Sequence, residues 1–304
     1  MDKICEGRVA VVTGAGRGIG REHALALARC GAKVIVNDLG VARDGTGSDS
    51  APADEVISII QAEGGTATRS TADISTWAGA ASLVQQAIDT YGRLDVVVNN
   101  AGILRDRTIA SMSEEEWDAV IGVHLKGTFS LMRHAAAHWR DRFKVEEKPV
   151  HGRIINTTSV AGLYGNFGQA NYCAAKAAIA ALTTVGAREL GRYGVTVNAI
   201  GPIAITRMTD GRRERTAEEL AARDPAWVSP VVAWLASESS AKVNGRVIEA
   251  GGGILAIAEG WHRGPTAEPV REPEKVGAII ERLIGESRPN VALNGKDLAS
   301  PWEP

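Results

Sequence analysis

The sequence predicts an α/β fold: one doubly wound parallel sheet of about seven strands, in a single domain that ends in a C-terminal appendage. Two patterns carry this prediction. Short β-branched runs of about four to six residues alternate with helical stretches of about ten or more, the spacing that crossovers between parallel strands require. A glycine-rich turn joins the first such run to the first helix. The 304 residues, 44% hydrophobic and 23% charged, suffice for one large domain.

Val9 to Val12 reads as a strand, Gly14 to Gly20 as a tight turn, and Glu22 to Cys30 as an alanine- and leucine-rich helix stopped by Gly31. Lys33 to Asn37 is a second buried strand. A helix near Ala53 to Glu63, a strand near Thr66 to Ala72, a helix from Ser75 to Tyr91 and a strand from Leu94 to Val98 continue the alternation. The second half repeats it, with strands near Arg153 to Thr157, Thr196 to Ile200 and Val247 to Glu249. Its long apolar helices are expected over Trp117 to Trp139 and Ala174 to Leu190. Asp44 to Pro52 and Lys144 to His151 read as surface loops. After Gly253 the pattern changes. Gly264, Pro265, Pro269 and Pro273 interrupt the chain before an amphipathic helix that carries Val276, Ile279, Ile280, Leu283 and Ile284 on one stripe. Residues 1–254 are therefore expected to form a Rossmann-type domain, and residues 255–304 an appendage packed on the core or on a neighbouring subunit.

A net charge of −2 gives no electrostatic reason to expect nucleic acid or an anionic membrane, so a small molecule is the expected partner. Cys5, Cys30 and Cys173 are odd in number and lack ligand spacing, which predicts neither disulfides nor a zinc site and fits a reducing cytoplasm. His134 and His138 stand four apart, but only alanines separate them, so no metal is expected there. No signal-peptide pattern and no apolar run of ~18 residues is present, so no membrane span is expected. Glu114 to Glu116, after Ser113, fit a helix cap. Trp261 and Trp302 are expected in packing or subunit contacts.

The turn Thr13-Gly14-Ala15-Gly16-Arg17-Gly18-Ile19-Gly20 sits where unpaired N–H groups and the helix dipole favour a pyrophosphate. Asp38 closes the second strand, where a carboxylate accepts both hydroxyls of an adenosine ribose and repels a 2′-phosphate. Arg17 is the cation that could attract that phosphate, but a carboxylate in direct contact should dominate, so NAD is expected over NADP. Asp73 and Asn99-Asn100-Ala101-Gly102 follow the third and fourth strands, at the strand ends where open α/β sheets bind ligands.

Tyr172 and Lys176 are four apart in a helical stretch and so share one face. The lysine charge is expected to stabilise a phenolate, so that Tyr172 can exchange a substrate hydroxyl proton. Ser159, at the end of a strand, can donate to the substrate oxygen as charge develops there. In this order, the glycine turn, Asn-Asn-Ala-Gly, Ser159 and Tyr-x-x-x-Lys resemble the short-chain dehydrogenase/reductase family over residues 7 to about 254. The resemblance implies an NAD-dependent oxidoreductase acting on CH–OH groups, with Ser159, Tyr172 and Lys176 as catalytic residues. It implies cofactor contacts at Gly14, Arg17, Gly18, Ile19 and Asp38 in the first half-sheet, then at Asp73, Ile74, Asn100, Ala101 and Gly102. Tyr172, Lys176 and Pro202 complete that set. It also implies a homodimer or homotetramer built through the two long helices.

Three segments, Val97 to Arg107, Tyr164 to Tyr172 and Arg207-Met208-Thr209, together with Asn37-Asp38-Leu39-Gly40, are similar to one branch of that family. This is the (3R)-hydroxyacyl-CoA dehydrogenase domains of type 2 multifunctional enzymes of peroxisomes. That likeness implies 3-hydroxyacyl-CoA thioesters as substrates, with hydroxysteroids as the alternative. Two departures stand out. Val123-His124-Leu125 carries histidine where many members have a catalytic-relay asparagine, and Pro202-Ile203 replaces the usual Pro-Gly. A catalytically silent nucleotide sensor or scaffold has no need of Ser159, Tyr172 and Lys176 together, and all three are present.

Overall fold

The computed structural model describes residues 2–47, 49–205 and 216–298; Arg207-Met208-Thr209 and Trp302 lie outside the described residues. From the N-terminus run β1 (Val9–Thr13), α1 (Gly18–Arg29), β2 (Lys33–Asn37), α2 (Ala51–Ala62), β3 (Thr66–Ser70), α3 (Trp77–Tyr91) and β4 (Val96–Asn99). Then come α4 (Glu114–Ile121), α5 (Gly127–Glu146), β5 (Arg153–Thr157), α6 (Val160–Tyr164), α7 (Ala170–Leu190) and β6 (Thr196–Pro202). The chain continues through α8 (Ala217–Ala222), α9 (Ser229–Ala236), β7 (Val247–Gly251), β8 (Ile254–Ala258) and α10 (Pro273–Glu286).

The strands form one sheet in the order β3-β2-β1-β4-β5-β6-β7-β8. Every neighbouring pair from β3 to β7 is parallel, as the helical crossovers dictate. Alternation along the strands divides the core in two, because successive side chains leave a strand on opposite faces. Ala10, Val12, Val34, Val36, Val96 and Val98 pack with the helices α1, α2 and α9. Val9, Val11, Ile35, Val97 and Ile154 pack on the other face, with α3 and α5. Strand order reverses beside β1, between β2 and β4, and the crevice at such a switch point opens at the carboxyl ends of the strands.

Three expectations change. Among the described residues the sheet has eight strands, one beyond the about seven expected. Gly251, Gly252 and Gly253 all have positive φ and turn the chain so that Ile254–Ala258 pairs antiparallel with β7. A two-residue glycine hairpin of this kind is a turn that only residues tolerating positive φ can make. The first residues of the appendage therefore belong to the sheet. Second, Trp117 to Trp139 is not one helix: a π-helical turn at Gly122–Lys126 separates α4 from α5. Third, no residue of α10 is buried, and Val276, Ile280 and Ile284 on its apolar stripe are exposed, so the helix does not pack on the core of its own chain. Trp261 is likewise fully exposed.

Candidate active site

The glycine turn is shaped by close approach. Gly14 has φ +63°, and a Cβ there would lie 2.8 Å from the Ala101 Cα; a Cβ on Gly20 would lie 2.1 Å from the Gly14 carbonyl oxygen. Asn100 locks the turn to the end of β4: its Nδ2 donates to the carbonyls of Thr13 (2.9 Å) and Gly14 (3.2 Å). The backbone N–H groups of Asn100 and Ala101 both donate to the Thr13 hydroxyl at 3.0 Å. Arg17 occupies the N-cap of α1 with extended backbone but makes no side-chain cap. The first-turn N–H groups of Gly18, Ile19 and Gly20 are thus left without a capping side chain, facing a cleft of about 600 Å³.

The cleft brings together ten of the residues expected to touch cofactor: Gly14, Arg17, Gly18, Ile19 and Asp38 on one wall, Asp73, Ile74, Asn100, Ala101 and Gly102 on the other. Asp38 is held rigidly. Its Oδ2 accepts the Gly16 N–H and its Oδ1 the Gly40 N–H, each at 2.7 Å, and each oxygen retains a further lone pair for a hydroxyl. A cradle in which a Cβ has no room, an uncapped helix N-terminus and a fixed carboxylate fit a dinucleotide. Asp73 accepts the Ser75 N–H (3.0 Å) and hydroxyl (2.7 Å), which turns the chain into α3.

Tyr172, Lys176 and Pro202 do not line that cleft. The first two stand one turn apart on α7, near the end of β5. Lys176 is 3% exposed, its Nζ donates to the Thr157 carbonyl at 2.6 Å, and it lies 5.6 Å from the centroid of the Tyr172 ring. Burial lowers its pKa to about 7. Burial also raises the Tyr172 phenol to about 12, against a hydrogen bond with Ser159 that works in the opposite direction. Desolvation of the phenolate is the largest cause of that rise. Ser159 caps α6 through the Ala161 N–H (3.2 Å), and Thr158 donates its hydroxyl to the Lys176 carbonyl (2.7 Å), so β5, α6 and α7 are fastened together. Pro202 ends β6, paired with Ala250.

His124 lies in the π-helical turn at 1% exposure, edge-on to Tyr172 with ring centroids 5.2 Å apart. Its Nε2 is 2.8 Å from the Ile103 carbonyl and 3.1 Å from the Ile103 N–H. Burial, then the charge of Lys176, lowers its pKa to about 3, so it is neutral at working pH. The ring lies against the Asn-Asn-Ala-Gly loop: a Cβ on Gly102 would lie 2.3 Å from its Cε1.

Several residues escaped the sequence reading. Asn171, fully buried, donates to the carbonyls of Arg105 and Glu116 at 3.0 Å and so anchors the helix that carries Tyr172. Its Oδ1 also accepts the Tyr172 N–H (2.7 Å) in the first turn of α7, and its signal in the sequence is an amide placed directly beside Tyr172. Tyr164 hydrogen-bonds the carboxylate of the buried Glu249, beyond the end of β5. Leu39, Val41, Ala42 and Gly45 also line the cleft, so Gly45, within the Asp44 to Pro52 segment expected as a surface loop, forms part of its wall. His134 stacks edge-on against Trp77 at 4.9 Å. Among the described residues no group of three His, Cys, Asp or Glu could hold a metal, all three cysteines are free, and no helix is long and apolar enough to cross a membrane.

Comparison with known proteins accords with this geometry. Residues 8–220 match the family model for the short chain dehydrogenase. The chain is 50% identical over 300 residues to the hydroxyacyl-CoA dehydrogenase ChsB1 of Mycobacterium tuberculosis, covering 96% of this chain and 93% of that protein. It is 42% identical over 277 residues to the peroxisomal multifunctional enzyme type 2 of Mus musculus, 91% of this chain but 34% of that longer protein. The crystal structure of a short chain dehydrogenase from Mycobacterium avium superposes with a TM-score of 0.85 at 50% identity, over 98% of this chain and 100% of that one. Members of this family use a nicotinamide cofactor, for which the cleft has the cradle. The chain belongs to the short-chain dehydrogenase family and is an oxidoreductase that acts on CH–OH groups.

Proposed function

We propose that the chain interconverts a 3-hydroxyacyl-CoA thioester and its 3-oxo partner with NAD(H), using Ser159, Tyr172 and Lys176. The observation that carries this reading is the clustering of the Ser159 hydroxyl, the Tyr172 phenol and the Lys176 ammonium beyond the end of β5, next to a cleft cornered by Asp38. When bound, the nicotinamide ring exchanges the hydride and, in its oxidised form, adds a positive charge. Tyr172 takes the hydroxyl proton in oxidation and returns it in reduction. Its raised pKa means that added positive charge is needed to reach the phenolate. Ser159 stabilises the substrate oxygen, and Lys176 holds the nicotinamide ribose while its charge favours the phenolate. The ten cleft residues, with Tyr172, Lys176 and Pro202, hold the cofactor. The carboxylate of Asp38 supports NAD over NADP, and the acyl-CoA assignment is supported by the relative named as a hydroxyacyl-CoA dehydrogenase.

Oxidation of NADH by the purified chain with 3-oxoacyl-CoA thioesters tests the reading. Turnover with the thioesters is expected, and turnover confined to ketosteroids would contradict it. The chain is further proposed to act as a homodimer or homotetramer through α5 and α7, whose shared trough of about 590 Å³ is lined by Phe129, Met132, Ala136 and Val185. A solution mass showing only monomer would contradict that. Three free thiols support a reducing compartment, the cytoplasm.

A further inference from the structure

The chain between β2 and α2 places a second carboxylate, Asp49, against the glycine turn. Asp49 Oδ2 lies 3.1 Å from Nη2 of Arg17, the guanidinium carried by the glycine turn on the cleft wall. Its other oxygen accepts the N–H of Ala51, the first residue of α2, at 3.0 Å. A guanidinium and a helix N-terminus together are what a phosphate group seeks, and here a carboxylate of the chain itself occupies both.

The placement is built in. Gly40 has φ +71°, and a Cβ there would lie 1.8 Å from the Asp49 carbonyl oxygen and 2.4 Å from its nitrogen. The same Gly40 donates its N–H to Asp38. A Cβ on Gly16 would lie 2.9 Å from Asp38 Oδ2 and 3.2 Å from the Ala53 nitrogen, so the glycine turn, Asp38 and the first turn of α2 meet in one corner. Only glycine at position 40 lets Asp49 approach as closely as it does.

We infer that Asp49 is a second determinant of cofactor choice, disfavouring NADP by holding Arg17 and the start of α2 in contacts that a 2′-phosphate would otherwise make. The inference rests on the NAD reading above and assigns it a second residue. Asp38 repels the phosphate directly; Asp49 withholds the cation that could compensate. Because the Arg17 and Asp49 side chains are 39% and 52% exposed, their pair adds little to stability, and its substitution leaves the fold intact.

The test is fluorescence titration of NADH and NADPH into the full chain and into Asp49→Asn, Arg17→Gln and the double variant. Asn keeps an oxygen for the Ala51 N–H, and Asp49→Ser is a second capping residue should Asn perturb the loop. Asp49→Asn is expected to tighten NADPH about fivefold relative to NADH, the scale of one exposed charge contact. That gain should vanish when Arg17 is also changed. An unchanged NADPH-to-NADH ratio in both Asp49 variants, or a gain that persists without Arg17, would overturn the inference. A wild-type chain that prefers NADPH would instead overturn the NAD reading, while the Arg17-dependent change still decides the part played by Asp49.

Discussion

Both ends of the central sheet bury charge, but they use it differently. Under the amino ends of β1 and β5, Arg8, Asp95 and Arg153 are 5%, 1% and 1% exposed. Most of their polar atoms are occupied. Arg8 donates to the His151 carbonyl (2.7 Å), and Arg153 to those of Ser237 (3.0 Å) and Gly152 (2.9 Å). Asp95 accepts two bonds from Arg93 (2.8 Å each) and one from the Val9 N–H (2.9 Å). At the carboxyl ends, Lys176 Nζ donates to the Thr157 carbonyl, and the α1 N-terminus holds no side-chain cap. Burial alone therefore does not mark a functional site. Nor do unpartnered atoms alone, since Arg8 Nε and Arg153 Nη2 lack a hydrogen-bond partner among the described residues; the adjoining cleft distinguishes the carboxyl end, and the lower cluster is structural.

That contrast can be broken by substitution. The largest effect is expected from Lys176→Met, which should lower turnover about a thousandfold and weaken NADH, because one group serves both phenolate and ribose; steady-state kinetics and titration measure the two losses separately. Ser159→Ala should slow turnover about a hundredfold with little change in NADH affinity, since its hydroxyl acts on the substrate oxygen. At the opposite end, Asp95→Asn should cost about 1–3 kcal/mol of stability in urea unfolding while turnover at saturating substrate stays near wild type, because it removes a buried carboxylate that accepts the Val9 N–H and two bonds from Arg93 and lies near the charge of buried Arg8. A stable Asp95→Asn with impaired turnover would erase the distinction between the ends.

The smallest effect is one of pH. His23 and His124 are fully buried, and burial lowers each to about 3. An unfolded histidine titrates near 6.5, so between about 6.5 and 3 the unfolded state binds more protons and stability falls as pH falls. The loss is at most about 1.4 kcal/mol per pH unit for each histidine. Unfolding followed from pH 7 to 5 should show this slope, reduced in His23→Gln, a residue whose ring otherwise bonds only the Ser229 hydroxyl (2.8 Å).

The same contrast explains what was legible in the sequence. The strands Lys33–Asn37 and Arg153–Thr157 fall where their β-branched runs lie, and Tyr172 and Lys176 fall on one helix face because helical spacing is local. The eighth strand was not read, since an exposed edge strand with Ile254, Leu255 and Ile257 facing outward has no alternation to reveal it, although the Gly-Gly hairpin was its signal. The π-helical turn left no mark in apolar periodicity. The burial of Arg8 and Arg153 left no mark in the sequence, because the carbonyls of His151 and Ser237 that they bond lie far along the chain. Asp49 reads in sequence as part of a surface loop, and only the close packing of Gly40 on its backbone and its pairing with Arg17 set it apart.

The central claim is that Tyr172 moves the substrate proton while the cofactor is held mainly by the glycine turn and Asp38. Tyr172→Phe removes only the hydroxyl, so parallel NADH titration and turnover with a 3-oxoacyl-CoA separate the two tasks. The account predicts NADH affinity within about threefold of wild type and turnover lowered by about a thousandfold or more. Near wild-type turnover in Tyr172→Phe would contradict it.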